Sequence, residues 1–165
     1  MSLPRPIRVV GSGSGWGDDA VAWEVIAQLR TRVAERPDVE LFAVHGAEQI
    51  LDVLDAHGTL ILIDAVSSGA PAGTIHCFEW PDRRARIGHT GSTHSLCAAT
   101  VLELATALGV LPSRVVVCGI EVQCLERART LSAPVEAAVP ELVRRLGDEI
   151  GCAPILSNGR TDRVA

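Results

Sequence analysis

Aromatic side chains are scarce in this chain. Its 165 residues include three tryptophans, two phenylalanines and no tyrosine. A close-packed core must therefore be built from valine, leucine, isoleucine and alanine. Polar low-complexity sequence is also missing, and 47% of the residues are apolar. That much apolar surface can offset the entropy of ordering a chain, which excludes disorder for most of it. No apolar run approaches the ~20 residues that cross a bilayer. Met1–Val10 carries two prolines and two arginines but no apolar segment of the targeting type. An excess of positive charge is lacking too: the net charge is −5. Arg83–Arg86 and Arg144–Arg145 are short and read as solvated surface, not as a track for a phosphate backbone. These absences argue against a nucleic-acid or membrane partner.

The five cysteines, Cys77, Cys97, Cys118, Cys124 and Cys152, are odd in number and contain no C-x-x-C pair. Cys97 and Cys118 stand among apolar residues and read as small core side chains. A reducing compartment follows, so the expectation is a soluble cytoplasmic protein.

Strand and helix patterns alternate along the chain. Ile7–Val10 predicts a buried first strand, followed by a glycine-rich turn, Gly11–Gly17. Asp18 and Asp19 open a helix, where acids suit the positive end of the dipole. Ala22, Val25, Ile26, Leu29 and Val33 continue it at helical spacing. Val39–Val44 predicts a second strand, Glu48–His57 a helix facing inward through Ile50, Leu51 and Leu54, and Thr59–Val66 a central strand. A short link then predicts a strand at Thr74–Trp80, antiparallel to the third. Pro81–Thr93 reads as a polar loop, His94–Leu108 as a helix, Arg114–Ile120 as a strand and Pro134–Ile150 as the last helix. The pattern predicts one α/β domain over residues 1–150 and a polar tail over 151–165. The fold class is a three-layer, mostly parallel five-stranded twisted sheet with one antiparallel strand and helices on both faces. Its functional groups should gather beyond the C-terminal strand ends. Three loops meet there: Gly11–Asp19, Asp64–Gly69 and Glu121–Ser132.

The first loop invites a dinucleotide reading, but its spacing is wrong. From Gly11 the last glycine of G-x-G-x-x-G would fall at Trp16 and from Gly13 at Asp18, so neither start completes the motif, and no P-loop lysine follows. Two carboxylates at the helix start would repel a phosphate. The loop therefore reads as cation-binding or as plain helix capping.

Asp64 interrupts an apolar run, and a lone buried carboxylate is costly. It could cap a neighbouring loop, or it could bind a ligand. His94 follows Gly91-Ser92-Thr93 at a helix start, where a histidine is ordinarily exposed. His89 is a rival in a loop, while His45, His57 and His76 have no comparable placing. Taken together, Asp19, Asp64 and His94 offer two oxygens and one imidazole nitrogen from three elements. That set suits a borderline divalent metal such as Zn²⁺ or Ni²⁺ and leaves coordination positions open. No H-E-x-x-H and no Ser–His–Asp or Cys–His triad is visible, so no nucleophile is assigned. Glu121 and Asp18 are candidate supporting or general-base groups.

Four stretches in order resemble the hydrogenase maturation proteases, which trim the large subunit of nickel–iron hydrogenases. They are Val9 through Asp19, Leu60 through Val66, Ser92-Thr93-His94-Ser95-Leu96, and Val116 through Glu121 with Leu131 through Val135. Departures fall in the first turn, where Gly13 or Ser14 stands in place of the family's asparagine, and after the acidic pair, at Ala20. The resemblance implies an endopeptidase that removes a C-terminal peptide from a hydrogenase large-subunit precursor. Its metal would be nickel carried by that substrate, with Asp19, Asp64 and His94 as ligands. The alternatives are a non-catalytic maturation chaperone and a hydrolase of similar fold with another substrate.

Overall fold

The computed structural model describes residues 3–82, 98–123 and 128–151. Five strands form one sheet: β1 (Ile7–Ser12), β2 (Val39–Val44), β3 (Thr59–Val66), β4 (Ile75–Trp80) and β5 (Arg114–Glu121). Three α-helices accompany them: α1 (Val21–Arg32), α2 (Ala98–Leu108) and α3 (Ala133–Gly151). The spatial order is β2-β1-β3-β5-β4. All neighbouring pairs are parallel except β4 with β5. The expected fold class is the observed one.

Strand alternation sends side chains to two layers. Val9, Ile61, Ile63, Val116 and Ile120 join the buried faces of α1 and α3, including Val25, Leu29, Val139 and Leu142. Val10, Leu60, Leu62, Val115 and Val117 pack instead with Ile50, Ala98, Val101 and Leu102. Cys118 lies buried in the first layer, directly opposite Cys77 of β4, and both thiols are free. The hydrogen bond with Cys77 and burial raise the Cys118 pKa, so the thiol stays protonated. Arg5 and Arg36 both donate to Ile150 O and both pair with Asp38, which fastens the end of α3 beside the start of β2.

One expectation needs correction. The helix placed at Glu48–His57 is a 3-10 turn over Ala47–Val53. Ala47, Ile50 and Val53 recur every three residues, the period of a 3-10 turn, and all three pack on the sheet. The strand after the third is antiparallel to it, as expected, and β5 lies between the two. The link crosses the end of β5, with Gly73 N donating to Glu121 O and Glu121 N to Thr74 O. A span of two strand spacings is roughly 10 Å, well within reach of that link.

His94 and His89, the loop from 83 to 93, Cys97, Cys124, Cys152 and the tail from 152 onward lie outside the described residues. Among the described residues no helix is long and apolar enough to cross a membrane.

Candidate active site

The three expected loops do meet at the C-terminal strand ends. The first is wound tightly. Gly13 N donates to Val44 O and Ser14 N to Asp19 O, while Gly17 N reaches Ala128 O in the loop after β5. Val44 O also receives the Trp23 indole N–H at 3.0 Å. These loop amides are spent on the protein's own carbonyls, an arrangement unlike a phosphate cradle. A Cβ on Gly13 would stand 2.1 Å from Asp19 O, closer than any atom tolerates. Gly13→Ala should therefore push the Asp19 backbone away. The expected result is loss of divalent-cation binding with modest loss of stability, read by calorimetric titration and thermal unfolding. Wild-type binding in this variant would mean that Asp19 is not a ligand.

Asp18 and Asp19 share a 3-10 turn, Gly17–Ala20, that leads into α1, yet they do opposite things. Asp18 is buried at 2% exposure. Its carboxylate accepts from Gln123 N at 2.9 Å, Ser132 N at 2.6 Å and Ser132 Oγ at 2.8 Å. An acid read as opening its own helix instead ties the first loop to the loop before α3. Asp19 is partly exposed, and its turn packs beside β3.

Asp64 sits near the end of β3 on the α2 side, two residues beyond Leu62. Its Oδ1 accepts only the next backbone amide, Ala65 N, at 2.8 Å. Burial pushes its pKa up to about 7; the Ala65 hydrogen bond opposes this and the negative charge of Asp19 adds to it. The two carboxylates are thus near enough at the strand end for the charge of Asp19 to act on Asp64. Among the described residues neither has a cationic partner, a donor set that fits a divalent cation. No group of three or more potential ligands occurs among those residues. His94, the expected third ligand, lies outside them. α2 begins four residues later, at Ala98, and packs on the face to which Leu62 and Asp64 belong. A short link joins α2 to the start of β5, so the helix begins at the end of the sheet where Asp64 lies.

Glu121 is buried at 2% exposure. Its Oε1 accepts from Ser68 N and Gly69 N, and its Oε2 from Ser68 Oγ and His76 Nε2 at 3.1 Å. Burial alone would raise its pKa, but the bonds from Ser68, His76 and Gly69 outweigh that and hold it below the usual range. This carboxylate folds the turn after β3 and orients His76. Sequence reading passed over His76. The only available signal was a polar residue at an alternate position of β4, on the side of Phe78 and Trp80.

Residues 23–149 match a family model, HycI, described as hydrogenase maturation protease. The matched span includes Asp64, His94 and Glu121 and begins after Asp19. Solved structures are similar over most of their length. One is the hydrogenase maturating endopeptidase HybD of E. coli, with 23% identity, a TM-score of 0.66, and coverage of 88% of this chain and 90% of that one. A hydrogenase 2 maturation peptidase from Thaumarchaeota archaeon SCGC_AB-539-E09 is 24% identical, with a TM-score of 0.66 and coverage of 88% and 97%. The [NiFe] hydrogenase maturation protease HycI from Thermococcus kodakarensis KOD1 is 18% identical, with a TM-score of 0.69 and coverage of 88% and 93%. Identities this low carry the fold alone. No curated protein sequence matches the chain.

Proposed function

Because the chain belongs to the hydrogenase maturation proteases, a peptidase family, we propose that it removes a C-terminal peptide from a nickel–iron hydrogenase large-subunit precursor in the cytoplasm. What supports a metal-directed reaction is Asp64, a carboxylate at a C-terminal strand end with its pKa raised to about 7 by burial and by the charge of Asp19. Such a pair is stabilised by an arriving cation. Asp19, Asp64 and His94 would hold nickel that the precursor already carries, with the precursor's own ligands completing the shell. The ion would act as a Lewis acid toward the scissile carbonyl and fix the tail in place. Two aspartates in this role would make the activity aspartic-type in residue usage.

Mass spectrometry of the large subunit, with and without this protein, tests the reading. A C-terminally shortened subunit is expected only when the protein and nickel are both present. His94→Ala should leave the precursor whole, while its thermal unfolding stays near that of the wild type. Normal processing by His94→Ala would remove histidine from the ligand set. Stoichiometric binding of the precursor without any mass change would favour the chaperone alternative.

A further inference from the structure

We propose that His76 is the general base of the peptidase site, an assignment that rests on the protease reading above. The two carboxylates that sequence reading offered for this role are already committed. Both Glu121 oxygens accept two hydrogen bonds each, and Asp18 accepts three from Gln123 and Ser132. Neither has the free lone pair and solvent access that proton abstraction needs.

His76 has both. Its side chain is 27% exposed, against 2% for the Glu121 that holds it. Glu121 is an acceptor and is kept ionised by its four donors, so the imidazole hydrogen sits on Nε2. The neutral ring therefore keeps a lone pair on Nδ1, for which no partner occurs among the described residues. A carboxylate that fixes the tautomer and stabilises the imidazolium is the usual support of a catalytic histidine.

The register places this ring beside Asp64. Asp64 and His76 are both paired with Gly119, one from each side. All three residues fall on the α2 face by alternation from Leu62, Val117 and Phe78. The Asp64 and His76 backbones are therefore two strand spacings, roughly 10 Å, apart. Gly119 raises no side chain between them. The half-buried Val66 leans over it instead, since a Cβ on Gly119 would meet Val66 Cγ2 at 2.2 Å. The result is a low apolar step with an acid on one side and an imidazole on the other.

In the step assigned to it, His76 Nδ1 takes a proton from a water as the water oxygen bonds to the scissile carbonyl carbon. The carbon–nitrogen bond then breaks, and the imidazolium returns the proton to the leaving amine. The chain gains and loses no electrons.

His76→Gln is the informative variant, because its amide nitrogen can still donate to Glu121 but offers no basic lone pair. With the nickel-loaded precursor as substrate, kcat should fall at least about 100-fold, as loss of a general base does. KM and the unfolding temperature should stay close to wild type. A His76→Gln protein that cuts at the wild-type rate would overturn the assignment and reduce His76 to a support for Glu121. Wild-type protein that leaves the precursor whole would overturn the protease reading and the base with it.

Discussion

Asp64→Asn is expected to make the protein more stable and inactive. The folded-state pKa of Asp64 lies near 7, above its ordinary value of 3.8. A carboxyl whose pKa is raised on folding favours the native state while protonated. The benefit is complete below about pH 4 and is lost as the pH rises through 7. Three units correspond to at most about 4 kcal/mol. Asparagine keeps an oxygen for Ala65 N–H and carries no charge, so it removes this pH-dependent loss. Unfolding temperatures measured in a chelator should coincide for the two proteins near pH 4. They should diverge through pH 4–7 and differ by several degrees, in favour of the variant, at pH 8. Processing should fall at least 100-fold in the same variant, because a neutral amide is a poor ligand for a divalent ion. An equal or lower melting temperature at pH 8 would show that Asp64 is not strained by its burial. That strain is the signature of a residue kept for function at the expense of stability.

The second large effect separates two neighbours that look alike in the sequence. Asp18→Ala strips the acceptor from Gln123 N, Ser132 N and Ser132 Oγ together. Leaving such buried donors unpaired costs about 2–5 kcal/mol, a large part of a domain's stability. Asp19→Ala should cost less than about 1 kcal/mol, because Asp19 is partly exposed. It should also lower the Asp64 pKa by removing the adjacent charge. Urea denaturation of both variants, with the Asp64 titration followed by carboxyl carbon NMR, checks both halves. Equal destabilisation by the two substitutions would contradict the division of labour assigned to the pair.

These cases mark what was legible beforehand. The strands were readable because apolar runs such as Leu60–Ile63 allow only a buried strand, and alternation with helices implied a parallel sheet. The loop positions followed from that topology. So did Asp64, an acid that breaks an apolar run at a strand end. The role of Asp18 was not readable. Its partners lie 105 and 114 positions away, and first-turn position looks identical for Asp18 and Asp19. His76 was hidden for a similar reason. Its value depends on Glu121, which is 45 residues distant, and on β4 docking against β5. The short link indicated the direction of β4 relative to β3, and only the three-dimensional order reveals β5 as its neighbour. The 3-10 turn over Ala47–Val53 was misread because spacings of three and four overlap in so short a segment.

The hydrogen bonds from Asp18 also bear on how a partner is received. Gln123 and Ser132 flank one loop of the site, and Asp18 belongs to another. Gly17 N adds a further tie to Ala128 O. The entropy of placing these anchoring residues is thus spent when the chain folds and is not charged again at each encounter with a substrate. Recognition should then resemble a key meeting a finished lock on this side of the cleft. The association rate would be governed by the precursor's tail finding its pose, with little contribution from rearrangement of the enzyme. Amide exchange at Gln123 and Ser132 should be as slow as in the sheet, and should change little when the precursor binds.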